Sequence, residues 1–299
     1  MNCIFCHNIS DNSKSIEHIV PESLGNKHTV LWRGAVCDKC NNYFATKIEK
    51  ELLKQPYFIS VRHRNIIKTK KEHYVPQDVL LINKKGHSNL ALFQYYGSYE
   101  NTNWQCVENE KSLGLKNCLI EPVIFEPEAN NYILSRFLAK CAFEFLVFRT
   151  KKENFIEFSE YLKNEQFEPL RKYARFGEGC KFWPYSQRRI YGEGDLFQRF
   201  YGDKIVERLI EMDFLSIVLN SKTENNNDYL VLELYYVLVI LGIEYVIHIA
   251  EPDISGYYIW LQKNNFKSPI ERAEEIRIPN EDNNEPLITE KLIKILGKS

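Results

Sequence analysis

The sequence has few of the features that mark non-globular or exported chains. Glycine occurs 13 times and proline 11 times in 299 residues, which excludes collagen-like and low-complexity proteins. No apolar run approaches the ~18 residues that cross a membrane, and the start, MNCIFCHNIS, lacks a basic stretch followed by an apolar one. We therefore expect no transmembrane helix and no secretory signal, and a soluble, cytoplasmic protein.

What the chain does contain is enough apolar material for a large core. Its hydrophobic fraction is 44% and its aromatic fraction 13%, so intrinsic disorder is excluded. Its length suggests about two domains. We predict an α+β protein with a small N-terminal module over residues 1–60. A mixed α+β domain with antiparallel sheet follows over 61–299, with a further division near residue 200.

The charge is unevenly distributed along the chain. Residues 1–75 carry 12 Lys and Arg against 7 Asp and Glu, whereas residues 201–299 carry 10 against 17. A basic start indicates anionic ligands near the N-terminus. The acidic C-terminal third argues against DNA wrapping there and favours a surface that senses a signal or a regulatory partner.

Hydrophobic periodicity predicts the order of helices and strands. A helix is expected over 41–55 and ended by Pro56, followed by a basic, extended segment over 59–71. Two further helices are expected over 130–152 and 153–175, a loop over 176–202, and a terminal helix after an acidic linker at 279–286. The predicted strands are 79–86, 89–100, 102–109, 213–221, 229–242, 244–251 and 255–262.

Four of the eight cysteines form two C-x-x-C pairs, Cys3 with Cys6 and Cys37 with Cys40. Paired thiols in a reducing compartment indicate metal or redox chemistry more often than disulfides. Two such pairs at the ends of one 30-residue insertion fit a metal staple better than a redox shuttle. We predict a structural Zn²⁺ held by these four thiolates, with no open coordination position.

The insertion between the pairs contains EHIVPESLGN, and Asn41 and Asn42 follow the last cysteine. This pattern over residues 1–55 resembles the HNH (ββα-metal) endonuclease family, in the branch with an acidic residue and His before I-x-P-x-S-L-G. The middle Asn of that family's pattern has no counterpart at the usual place, where Trp32 stands, and Asn26 is the nearest asparagine.

The resemblance implies a metal-dependent endonuclease that hydrolyses DNA phosphodiester bonds. His18 would be the general base, which takes a proton from the attacking water. Glu17 and Asn41, with Asn42 as the second candidate for Asn41's place, would hold one Mg²⁺ or Mn²⁺. An imidazole titrates near neutral pH, and carboxylate and amide oxygens suit these hard cations, so the residue types are chemically consistent with the roles.

Other interpretations of the same residues stay open at this point. The main alternative is a zinc-stapled nucleic-acid-binding module without catalysis, and a second is a zinc knuckle that only braces the chain end. DNA is the expected partner, with RNA as a variant, and duplex cutting with one site per chain favours a homodimer. Restriction and anti-phage defence are the two settings that fit. Five basic residues after the first helix are predicted to contact phosphates: Arg62, Arg64, Lys68, Lys70 and Lys71.

Overall fold

A computed structural model describes the chain over twelve ranges. They are residues 1–26, 28–65, 67–69, 71–82, 88–96, 103–106, 119–152, 165–192, 199–201, 204–206, 210–224 and 227–270. The predicted acidic linker, the terminal helix and the first part of the helix predicted over 153–175, residues 153–164, lie outside these residues. Within them the protein combines helices with antiparallel sheets, so the predicted α+β class is confirmed.

Six α-helices are present in the described residues. They are α1 (Asp38–Phe44), α2 (Lys50–Leu53), α3 (Pro56–Arg64), α4 (Tyr132–Lys152), α5 (Glu168–Phe176) and α6 (Ser255–Lys263). A π-helical turn, Ala45–Glu49, joins α1 to α2, and 3₁₀ helices lie at Glu22–Leu24 and Glu165–Phe167.

The segment 56–64 is helical, so the extended conformation predicted over 59–71 is wrong for residues 59–64. Pro56 occupies the first turn of α3, where its missing N–H costs nothing and its fixed φ favours a helix. Tyr57 and Val61, four residues apart, are both buried, so the apolar side chains follow a helical period. The boundary predicted after residue 60 falls inside α3, and the division into 1–60 and 61–299 stays a prediction.

Within the described ranges, ten strands form three antiparallel arrangements. The strands are β1 (Gln77–Ile82), β2 (Ser88–Tyr96), β3 (Asn103–Cys106), β4 (Leu119–Pro122), β5 (Tyr185–Arg189), β6 (Arg199–Tyr201), β7 (Lys204–Val206), β8 (Ile210–Glu224), β9 (Asn227–Ile240) and β10 (Ile243–His248). The first sheet has the order β3-β2-β1-β4 and the second β5-β10-β9-β8, while β6 and β7 pair with each other. The strands predicted over 79–86, 89–100, 102–109, 213–221, 229–242 and 244–251 all correspond to strands of these sheets.

Two predictions in the second half of the chain are wrong. The segment 255–262 is helix α6 and not a strand. Its two buried side chains, Tyr257 and Leu261, are four residues apart, which is the spacing of about one helical turn. Asp253, two residues before the helix begins, accepts hydrogen bonds from the N–H and hydroxyl of Ser255 at 2.9 and 2.7 Å. The segment 176–202, predicted as a loop, contains β5, which pairs with β10.

Helix α4 lies between the N-terminal residues and the second sheet. On one side its Phe143 packs against Phe5, with ring centroids 5.5 Å apart. On the other side its Phe145 packs against Phe214 of β8 and Tyr236 of β9, at 5.1 and 5.5 Å. One continuous cluster of buried residues therefore joins the cysteine-rich start of the chain to the sheet. No helix among the described residues is long and apolar enough to span a membrane.

Candidate active site

The four predicted cysteine ligands converge. The sulfurs of Cys3, Cys6, Cys37 and Cys40 all lie within 4.8 Å of one another, and those of Cys6 and Cys37 are 3.6 Å apart. A tetrahedral zinc with Zn–S bonds of about 2.3 Å places its sulfurs about 3.8 Å apart, so the cluster has the size that zinc requires. Four thiols and no further ligand suit a structural rather than a catalytic ion.

The surroundings of the cluster favour a thiolate at Cys3, whereas burial raises the pKa of Cys37. A hydrogen bond from the Cys40 thiol lowers the pKa of Cys3 to about 4, and sharing this proton raises the pKa of Cys40 above its ordinary value. The backbone N–H of Cys37 donates to the sulfur of Cys3 at 3.3 Å, and Nε of Arg175 in α5 donates to the sulfur of Cys40 at 3.2 Å. Arg175 was missed by sequence reasoning, since it lies 135 residues from Cys40.

A short antiparallel pair presents Glu17 and His18. His18 pairs with Val30, the N–H of Leu31 donates to the carbonyl of Glu17 at 2.8 Å, and that of Ile19 to the carbonyl of Thr29 at 3.3 Å. Adjacent residues on such a segment face opposite sides. Accordingly Glu17 is buried, at 6% exposure, whereas His18 is half-buried.

The loop between these strands is closed by Asn26. Its side-chain N–H groups donate to the carbonyls of Val20 and Thr29 at 2.8 and 2.9 Å, and its Oδ1 accepts the N–H of Thr29 at 3.0 Å. Gly25, at the end of the preceding 3₁₀ turn, has a φ of 102°, which favours glycine and explains the L-G of the motif. Asn26 thus shapes the loop that follows His18.

The start of α1 is tied to the segment that leads into Glu17. Asp38 accepts hydrogen bonds from the backbone N–H of Lys14 at 3.0 Å and of Ser15 at 2.9 Å. Asn41, one turn further along α1, donates from Nδ2 to the carbonyl of Ile16 at 3.4 Å. Asn42 is exposed on the helix surface. The cysteine knuckle therefore brings Asn41, rather than Asn42, against the strand that carries Glu17 and His18.

Residues 3–57 match the family model described as HNH endonuclease. An HNH module therefore occupies residues 3–57. The match begins at the first zinc-ligand candidate and ends in α3, so it includes the cysteine cluster, the paired strands and the helix that carries Asn41. No curated protein and no solved structure matches the chain.

The carboxylate of Glu17 in the HNH module forms an ion pair with a lysine that the sequence analysis did not identify. Nζ of Lys140, in α4, lies 2.6 Å from Oε1 of Glu17, 2.7 Å from Oε1 of Glu49 and 3.2 Å from Oε2 of Glu144. The same ammonium donates to the carbonyls of His18 and Ile19 at 3.0 and 3.3 Å. A Lys-Glu pair four residues apart in the largely buried part of this helix was the available sequence signal.

The charge of Lys140 is maintained by its partners. Burial alone would lower its pKa, but the carboxylates of Glu144, Glu17 and Glu49 together hold the pKa well above its ordinary value. Burial raises the pKa of Glu144, which is fully enclosed, well above that of a free carboxyl group. The cluster is therefore one buried ammonium ion shared by the carboxyl groups of Glu17, Glu49 and Glu144.

A catalytic divalent cation would use few protein ligands here. Apart from the four cysteines, the described residues contain no group of three His, Cys, Asp or Glu side chains whose ligand atoms converge. Mg²⁺ commonly takes only one or two protein carboxylates and fills its other positions with water and phosphate oxygens. A carboxylate from Glu17, with one oxygen on Lys140, and an amide oxygen from Asn41 on the adjoining helix fit that requirement.

The predicted basic strip does not form one exposed surface. Arg62 is buried, Arg64 contacts Ser60, and Lys68 pairs with the carboxylate of Glu72 at 3.0 Å. Lys71 is exposed, and Lys70 lies outside the described residues. Burial lowers the pKa of His63, which lies between the two arginines, so this imidazole is neutral at pH 7. Helix α3 turns Arg62 and Arg64 in different directions, whereas residues two apart in an extended strand would lie on one face.

Proposed function

We propose that this protein is a metal-dependent endonuclease that hydrolyses DNA phosphodiester bonds. The observation that carries the proposal is the match of residues 3–57 to the HNH endonuclease family model. Within this part of the chain, the cysteine knuckle brings Asn41 against the segment that leads into Glu17 and His18. A module that only bound DNA would have no need for an imidazole next to a carboxylate in this frame.

His18 is the proposed general base. His18 is half-buried and lies on the side of its segment opposite to the buried Glu17, so its imidazole extends toward the surface of the module. It would take a proton from the water that attacks the scissile phosphate, as the oxygen at the 3′ side leaves. The strand pairing with Val30 and the closed loop at Asn26 fix the backbone from which the imidazole extends.

Glu17 and Asn41, with Asn42 as the second candidate, are the proposed holders of Mg²⁺ or Mn²⁺. When bound, such an ion supplies positive charge to the phosphate and to the leaving oxygen. Zinc in the cysteine cluster supplies no chemistry; it fixes the knuckle that positions α1.

The test is plasmid cleavage by zinc-loaded protein, with Mg²⁺ or Mn²⁺ added or omitted. We expect cutting that requires the added cation, stops in His18→Ala and persists in His28→Ala, which alters an exposed histidine of the same module. Zinc content measured after each assay separates loss of the catalytic cation from loss of the staple. Equal cutting by His18→Ala would exclude it as the base.

The same assay distinguishes the alternatives. Binding of the plasmid in a gel shift without cutting would favour the zinc-stapled binding module, and cleavage of RNA instead would change the substrate. A discrete band pattern would indicate a restriction enzyme that reads a sequence, and a smear would indicate a nonspecific defence effector. Native mass spectrometry tests the homodimer that cutting of both strands favours.

A further inference from the structure

Lys140 lies outside the HNH module and forms ion pairs with two carboxylates inside it, those of Glu17 and Glu49. Its side chain is fully buried, and its ammonium contacts Glu17, Glu49 and the carbonyls of His18 and Ile19. We propose that Lys140 is a positioning residue of the nuclease site, which fixes both the carboxylate of Glu17 and the backbone of the His18 strand. This inference rests on the proposed function.

The geometry of the contacts supports a positioning role. An ammonium has three donors, and the shortest contacts of Lys140 go to Glu17, Glu49 and the carbonyl of His18. These three acceptors come from the strand and from the helical segment that follows Asn41, so one group sets the distance between the two halves of the site. A carboxylate that binds a metal needs such a partner to hold its orientation.

The helix that carries Lys140 is suited to hold it still. Helix α4 spans Tyr132–Lys152 and is packed on both sides, by Phe5 of the module and by the second sheet. The next residue, Cys141, donates from its sulfur to the carbonyl of Ile19 at 3.0 Å, which adds a second attachment to the strand. Residues beyond the matched segment therefore supply part of the site.

The experiment compares the full-length protein with Lys140→Met. Mn²⁺ affinity is measured by electron paramagnetic resonance without DNA, and kcat and KM are measured on plasmid. We expect Mn²⁺ affinity and kcat to fall by about 10–100-fold, as is usual when a group that orients a metal ligand is removed. KM for DNA should change less than about twofold, because Lys140 is buried and does not face the substrate.

Arg136→Met is the matched control. Arg136 is also a buried cation of α4, one turn earlier, and its guanidinium donates to the hydroxyl of Tyr43 and the carbonyl of Ala174 at 2.8 and 2.9 Å. Its removal disturbs the packing of α4 against the module without touching Glu17 or His18. We expect its Mn²⁺ affinity to stay within about twofold of that of the unaltered protein.

Lys140→Arg keeps the inference testable if the methionine variant does not fold. A guanidinium retains the charge but cannot place one nitrogen among all these acceptors, so Mn²⁺ affinity should lie between those of lysine and methionine. Unchanged affinity and kcat in folded Lys140 variants, or an equal loss in Arg136→Met, would overturn the inference. Failure of the proposed function has a different signature, since the unaltered, zinc-loaded protein would then neither bind Mn²⁺ nor cut.

Discussion

At the scale of single residues, the cysteines separate into a cluster and isolated thiols. Cys40 is buried beside the other three ligands, whereas Cys180 is half-buried and burial merely raises its pKa. We expect Cys40→Ser to lose zinc and to unfold at a lower temperature, because zinc binding contributes to folding. Cys180→Ser should keep one zinc per chain and the original melting temperature. Zinc content and thermal unfolding measure both, and retention of zinc by Cys40→Ser would contradict the four-cysteine site.

A second prediction concerns a carboxylate enclosed in the other half of the chain. Glu244 of β10 is fully buried and accepts hydrogen bonds from Nε of Arg188 at 2.6 Å and from the hydroxyl of Tyr257 at 2.5 Å. Removing the cation leaves a buried charge without compensation, so Arg188→Met should lower the free energy of unfolding by about 3 kcal/mol. The neighbouring Arg189 is exposed, and Arg189→Met should change it by less than about 0.5 kcal/mol. Urea unfolding gives both values; similar effects of the two variants would argue against the pair.

At the scale of elements, the helical segment from α1 to α2 offers a basic surface in place of the predicted strip. Lys39, Lys47 and Lys50 are exposed on it, while Ile48 and Leu52 face the core. We expect the double change Lys47→Glu and Lys50→Glu to weaken DNA binding and to reduce the salt slope of log K by about 2, since each phosphate contact contributes about 0.9. Lys68→Glu, at a lysine already paired with Glu72, is the control. Fluorescence anisotropy at several salt concentrations decides between the two surfaces.

The elements also show how far sequence reasoning reaches. Regular apolar periods predicted α4 and most strands, and the cysteine spacing predicted the cluster, because each signal lies within a short stretch of chain. The segments 59–64 and 255–262 were assigned wrongly because β-branched and aromatic residues favour strands locally, whereas a buried i, i+4 pair is found in the helix that contains each. The contacts of Lys140 outside its own helix, and that of Arg175 with Cys40, could not be predicted, since these partners lie 91 or more residues away.

At the scale of the whole molecule, the HNH module and the rest of the chain share one interior. The buried cluster that contains the zinc-ligand candidates also contains residues of α4, α5 and the second sheet. Arg175 of α5 bonds the sulfur of Cys40, and Arg171 of the same helix bonds the carbonyl of Phe5. A module of about 50 residues has little core of its own, so these contacts make its stability depend on helices far along the sequence.

This shared interior predicts that zinc removal is felt well outside the matched segment. Without the ion, the four sulfurs are no longer held together. We therefore expect the sulfur of Cys40 to move away from Arg175 and Phe5 to move away from Phe143, so that α4 and α5 lose packing partners. Hydrogen exchange measured by mass spectrometry, with and without a zinc chelator, should therefore rise in both helices as well as in residues 1–57. Helix α6, which packs in a separate buried cluster with Tyr235 and Val237, serves as the internal reference and should change least. A rise confined to residues 1–57 would mean that the module opens by itself, and that the contacts from α4 and α5 contribute little to holding it.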